Sequence, residues 1–484
     1  MDFSLLTFLY VFLPLNLVIY ALSKDIRTKN NVMLVFSLIF YAWGEPLFVL
    51  LLVGMVAVNW FIALWIGELQ RRRKPRTAKR ALLLACVVDI AAIGIFKYGT
   101  FLLQNTQSLF GFPSFIPEIL LPIGISFYTF QILSYVVDVY RGDVRPQRSF
   151  RLLLLYISLF HQCIAGPIVR YKDVSEELLS RKMTMTTVSE GVSRFAVGIA
   201  KKAVFANHCG DMASQLLGIT EQNPHPDFHS CTVAGLWLAM FCYALQIYLD
   251  FSAYSDMAIG MGRMIGFHYK ENFNYPYIAQ SVTDFWRRWH MSLSSFFHDY
   301  VYIPLGGNRC SMLRHVFNLL VVWFLTGLWH GASWNFVLWG LYYFVFLVFE
   351  KFVLAKYLEK APRVLRHAYL LIVVYFGWIL FQFKDMSQIG AVLAGMFGGN
   401  GNAFSDFETA TVFQSNWVFL LAAIVACTPF VKTVFERFLS AAQRSPSMAT
   451  VYSVCCAVVP ALLLLLATTM LVANTYNAFL YLQF

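Results

Sequence analysis

Apolar residues in this chain come in long blocks, without the two-residue alternation of a half-buried strand or the single stripe of a soluble helix. The blocks fall at 4–22, 32–43 with 47–67, 81–103, 118–140, 150–168, 233–250, 314–350, 366–382, 415–435 and 451–473. A helix crossing the hydrocarbon core needs about 20 predominantly apolar residues. The block at 314–350 is long enough for two passes. The pattern predicts an all-α polytopic membrane protein with roughly ten to twelve membrane segments, some broken or re-entrant.

The blocks differ in texture. Residues 1–110 read as plain lipid-facing spans. Residues 118–350 hold most of the polar groups found in apolar context. Residues 366–484 return to plain spans, interrupted by the glycine-rich loop 395–416. A single transmembrane domain over 1–484, with its polar centre at about 118–350, is the simplest organisation. Composition agrees: 59% of residues are hydrophobic and 13% charged, against about 25% charged in soluble proteins.

Net charge is +11, but the basic residues sit in short loops, so they encode orientation and imply no nucleic-acid partner. "GELQRRRKPRTAKR" (67–80) carries seven Lys/Arg against one Glu, and "KDIRTKN" (24–30) is also basic. Both loops are expected in the cytoplasm. That places the N-terminus outside, turns the chain at Gly44-Glu45-Pro46, puts 104–117 outside and returns "RGDVRPQRSFR" (141–151) inside. The first segment lacks a basic leader and a small-residue cleavage site and reads as a retained span. Nine cysteines, with no CxxC, indicate neither a disulfide framework nor a zinc site.

Within the polar centre, Pro122 and Gly124 loosen a span that carries Gln131 and Asp138. "LFHQCIAGPIVRY" (159–171) places His161 two residues before Cys163, on different helix faces, which disfavours a nucleophile–base pair. "YLDFSAYSDMAIGMG" (248–262) carries Asp250, Ser255 and Asp256. It lacks the spacing of a calcium loop and has no histidine at ligand spacing, so no metal site is expected. These carboxylates are expected to accept hydrogen bonds and shape a cavity. Asn272 and Asn274, just before Pro276, suit an ordered turn. "TDFWRRWHMSLSSFFHDYVYIPLGG" (283–307) reads as one short amphipathic helix at the membrane boundary. On it Trp286, Arg287, Leu293, Ser294 and Phe297 share a side with His290.

The sharpest feature is "FLTGLWHGASWNF" (324–336). His330 lies in a stretch with no charge between Arg314–His315 and Glu350. Gly327 and Gly331 have the G-x-x-x-G spacing that lets membrane helices approach closely. An imidazole there should face protein or a water-filled path. Its unperturbed pKa is about 6.5, and the neutral ring can accept a proton from an alcohol, as activation toward an acyl thioester requires. No Ser or Cys is arranged nearby as a nucleophile, which favours direct transfer. Spacing alone leads to an intramembrane acid–base or proton site.

"DFWRRWHMSLSSFFHDYVYIPLGGNR" (284–309) and "LTGLWHGASWNFVLWG" (325–340), preceded by "DFSAYSDMAIGMG", resemble the membrane-bound O-acyltransferase family. "FYAWGEPLFVLLL" (40–52) and "LPIGISFYTFQILSYVVDVYRG" (121–142) resemble its bacterial branch that includes the alginate O-acetyltransferase membrane subunit. The resemblance covers roughly residues 1–350. It implies membrane helices around a funnel or tunnel, with the family's histidine at His330 and its second polar position at His290. It also implies a cytoplasmic acyl donor, acetyl-CoA or a phosphopantetheine carrier thioester, and no bound cofactor. A polysaccharide acceptor is implied outside, served by an SGNH-type acetyltransferase partner, in the bacterial inner membrane.

On that reading His330 is the general base and His290 positions or protonates a reacting group. Trp329, Asn335, Arg287, Asp250, Ser255 and Asp256 are candidates for lining the substrate cavity. Two rivals stand beside it: D-alanyl transfer from a carrier-protein thioester to teichoic acid, and a transporter or flippase, for which the chain lacks inverted repeats.

Overall fold

The computed structural model describes residues 2–111, 119–220, 222–223, 226, 228–473 and 479–480. These residues form helices joined by turns and loops, and eight helices are long and apolar enough to cross a membrane. The helices used below are α1 (Phe48–Arg71), α2 (Pro75–Phe110), α3 (Ile125–Arg141), α4 (Met185–Ala200) and α5 (Val233–Met264). The series continues with α6 (Val282–Arg288), α7 (Met291–Phe297), α8 (Met312–His330), α9 (Trp334–Phe349), α10 (Arg363–Gln382) and α11 (Pro446–Ala473).

The most apolar stretch of α5 is 61% buried, against 17% in α2 and in α11. That contrast puts α5 on the central axis and leaves α2 and α11 at the lipid-facing periphery. α5 starts where the Thr232 side chain accepts the Gly235 N–H, and it runs well past the predicted end at residue 250. α4 lies along it at backbone distance: a Cβ on Gly191 would meet Gly260 O at 2.6 Å, and one on Gly198 would meet Ala253 O at 2.8 Å.

The block 314–350 does make two passes. α8 ends at His330 because Gly331 turns to extended backbone (φ −173°), and α9 begins at Trp334. The expected glycine pair is rearranged. Gly331 lies beyond the helix, against the Phe336 ring, and the residue facing Gly327 is Gly340 on α9. A Cβ on Gly327 would overlap Phe336 O and come within 3.3 Å of Gly340 Cα. Both neighbours are backbone, so a larger residue must part the helices, which costs about 1–3 kcal/mol. Gly340→Val is therefore expected to lower the melting temperature in detergent by several degrees and to reduce membrane abundance. A parental melting curve would show that the hairpin does not depend on this close approach.

Other expectations are corrected by local geometry. The block 150–168 is helical only over Phe150–Ser158, and 159–170 is irregular. The block 415–435 is interrupted before Pro429, between helices Phe407–Ala426 and Phe430–Ala442, as proline dictates. Residues 104–110 continue α2, whereas 112–117, the rest of that predicted loop, lie outside the described residues, as does 118 of the next block. The loop expected over 395–416 is shorter, because Asp406 accepts the Thr409 N–H and starts a helix at Phe407.

The predicted single helix over 283–307 is two short helices, α6 and α7, followed by a π-helical turn at His298–Tyr302. The break falls at His290, which is left-handed (φ 44°). Asn272 compensates, its side-chain oxygen accepting the Ser292 N–H at the start of α7.

Candidate active site

His330 is the last residue of α8, where carbonyl groups lose their helical partners. α2 supplies replacements. Tyr98 Oη donates to Leu328 O, and Lys97 Nζ donates to Trp329 O. A cation at a helix C-terminus also opposes the negative end of its dipole. The His330 ring is 5% exposed. It meets Trp339 edge-on at 4.8 Å between centroids and Phe381 at 5.1 Å. It therefore faces protein, as the sequence requires.

Beside it lies a cavity of ≈ 90 Å³ whose wall includes His330, Trp329, Lys97, Ser126, Phe127 and Ile164. Residues 121–125 complete that wall. Tyr41 Oη donates to Ile123 O at 3.0 Å, and Ile123 N–H donates to Glu45 Oε2 at 2.8 Å. The motif 40–52 thus grips the cavity wall. Gly124 is left-handed (φ 74°), and a Cβ there would overlap Cys163 O, so this wall also presses on the irregular segment after Ser158.

Glu45→Ala removes one grip, a hydrogen bond worth about 1 kcal/mol. The expected result is a small loss of stability with a several-fold slower acyl transfer at equal abundance. Unchanged transfer would show that the wall keeps its shape without this bond.

His290 is 1% exposed and sits behind Trp329, at 5.6 Å between ring centroids. It does not line the cavity. Its Nδ1 is 3.1 Å from Asn272 Oδ1. Because Asn272 Nδ2 donates to Ser255 Oγ at 3.0 Å, Oδ1 is the acceptor, so Nδ1 of the neutral ring carries the proton and Nε2 is the basic nitrogen. Asn272 Oδ1 also takes the Ser292 hydroxyl at 2.8 Å, and Ser292 Oγ accepts the Ile168 N–H at 2.9 Å. Three separate polar motifs therefore meet at one amide.

Of the sequence candidates, His330 and Trp329 lie on the cavity wall, and His290 and Ser255 join through Asn272. The others sit elsewhere. Asn335 is buried and holds the start of α9 to the end of α10 through Leu380 O at 3.1 Å. Arg287 is exposed, because the break at His290 turns it from the cavity. Asp250 pairs with Lys202 at 2.7 Å. Asp256 pairs with Arg194 at 2.6 Å and Lys201 at 2.7 Å. Sequence reasoning missed Lys97, although its signal was present: a lone lysine inside an apolar block is a functional flag by the same rule applied to His330.

Likeness to known proteins identifies the family. Residues 147–389 match the model of the membrane-bound O-acyltransferase family, a span that takes in His290 and His330. The chain is 37% identical over 450 residues to the probable alginate O-acetylase AlgI of Azotobacter vinelandii, covering 92% of this chain and 88% of the relative. It is 32% identical over 429 residues to the peptidoglycan O-acetyltransferase of Helicobacter pylori, covering 81% and 79%. The teichoic acid D-alanyltransferase of Bacillus subtilis is more distant, at 27% over 281 residues, 55% of this chain and 68% of the relative. The buried histidine at the end of α8, the cavity beside it and these likenesses lead to one conclusion: the chain is a multi-pass membrane enzyme belonging to the membrane-bound O-acyltransferase family.

Proposed function

We propose that the protein moves acetyl groups from a cytoplasmic thioester, acetyl-CoA or a phosphopantetheine carrier, across the inner membrane for O-acetylation of an extracytoplasmic polysaccharide. The observation that carries this reading is His330 on the wall of a cavity, at an oriented helix end inside a spanning domain. The names of the relatives above favour acetyl over D-alanyl and a glycan acceptor. His330 acts as general base on the attacking hydroxyl. His290, oriented by Asn272, sets the position and polarity of Trp329 and of the groups behind it.

On this reading the basic loops favour an extracytoplasmic N-terminus, with the weakly charged loop expected at 104–117 on the same side. The cavity wall at 121–124 then faces the acceptor, and an SGNH-type acetyltransferase is the partner that completes transfer. The test supplies membranes with acetyl-labelled acetyl-CoA or with a D-alanyl-charged carrier protein. Label from acetyl-CoA should reach the glycan fraction only when the partner is present. Label from the D-alanyl carrier alone would replace this reading with the teichoic-acid one.

A further inference from the structure

The acid–base reading leaves Lys97 on the cavity wall unused. Its Nζ lies 3.4 Å from Ser126 Oγ and donates to Trp329 O, which occupies two of the ammonium's three donors. Its side chain also lies over the Trp329 ring, 6.0 Å from the centroid. No carboxylate acts on it among the described residues. A cation inside a span is costly and marks function when nothing nearby neutralises it. The cations that meet the α5 carboxylates are neutralised there: Lys202 pairs with Asp250, and Lys201 and Arg194 share Asp256. Lys97 instead shares a cavity with His330, and its anchoring carbonyl belongs to the residue next to that histidine.

We infer that Lys97 is a second catalytic residue, whose ammonium binds the oxyanion formed on the acyl carbonyl during transfer. The inference rests on His330 as base. The hydroxyl oxygen attacks the thioester carbonyl carbon while His330 takes the hydroxyl proton. The carbonyl π pair moves onto oxygen, and that oxygen settles against the third N–H of Lys97. Collapse re-forms C=O and breaks C–S, and the leaving thiolate recovers the proton from His330. A fixed cation in a water-poor cavity stabilises such charge far better than it would in water.

Lys97→Met, Lys97→Gln and Lys97→Arg are compared at equal abundance in membranes that also hold the SGNH-type partner in excess, with acetyl-CoA and both a uronate and a neutral glycan acceptor. Losing one oxyanion donor typically lowers kcat by about 10²–10³-fold. Lys97→Met is expected to fall in that range with KM little changed for either acceptor. Lys97→Arg, which keeps the charge, should recover part of the rate. Lys97→Gln can still hold the Trp329 carbonyl, so parental activity in that variant would reduce Lys97 to an anchor and overturn the inference. A loss confined to KM for the uronate acceptor would overturn it too, by assigning the charge to acceptor binding. If Lys97→Met does not accumulate, Lys97→Gln carries the test and should remain at least about tenfold below the parent. His330→Gln is run in parallel. Its full activity would remove the proposed base, whereas an inactive His330→Gln beside a fully active Lys97→Met sinks only the role of Lys97.

Discussion

Replacing His330 with glutamine should lower acyl transfer by about 10²–10⁴-fold, the usual contribution of a positioned general base, while leaving the protein folded. The ring is packed edge-on between Trp339 and Phe381, so volume matters. Glutamine fills much of that space and keeps a hydrogen-bonding end, but its amide cannot take a proton. Alanine also removes the base, and it leaves a void in an aromatic cluster, adding a stability loss of about 2–4 kcal/mol by analogy with other large-to-small changes. The two variants should therefore match in activity per folded molecule and differ in melting temperature. Glutamine at parental activity would exclude His330 as the base. Loss of activity only in alanine, in step with loss of folded protein, would make the residue structural. His330→Gln should depress kcat more than KM, because its interaction is made with the attacking hydroxyl as the proton leaves.

Much of this site could be read from residue order because its signals are local. A histidine in an apolar run, flanked by small residues, had to face protein, and the block length required a second pass. What escaped the reading depends on distant partners. The break at His290 is stabilised by Asn272, 18 residues earlier, so a regular 100° progression ran straight through it and put Arg287 on the wrong side. Lys97 binds a carbonyl 232 residues away, in a helix whose apolar composition reads as lipid-facing. α4 carries serine, threonine, glutamate and arginine among its apolar residues, and it was not anticipated because its hydrophobic stripe is too narrow to read as a span. Its glycines acquire meaning only against α5. The carboxylates of α5 are read from the sequence as cavity-shaping acceptors, yet they lie off the cavity wall, and their partners come from α4 and the π-helical turn Lys201–Ala206 that follows it.

Asp250→Asn should be among the most destabilising single substitutions in the protein, and Lys202→Met should largely reverse it. Asp250 and Lys202 side chains are 1% and 3% exposed and meet at 2.7 Å. Removing one partner of a buried pair leaves an uncompensated charge and costs about 3–5 kcal/mol, whereas removing both is often close to neutral. Asparagine is the informative replacement because its side-chain oxygen can still accept the Leu480 N–H that Asp250 holds at 2.7 Å, so the change isolates the charge. Asp2 also interacts electrostatically with Lys202 and softens the single-variant loss without supplying the short contact. A double-mutant cycle of melting temperatures measures the coupling. The same cycle separates two roles for Asp250. A purely structural pair predicts that the double variant regains both stability and acyl transfer per folded molecule. Restored stability with transfer still lost would return Asp250 to the substrate path and require that the cavity beside His330 extend to α5.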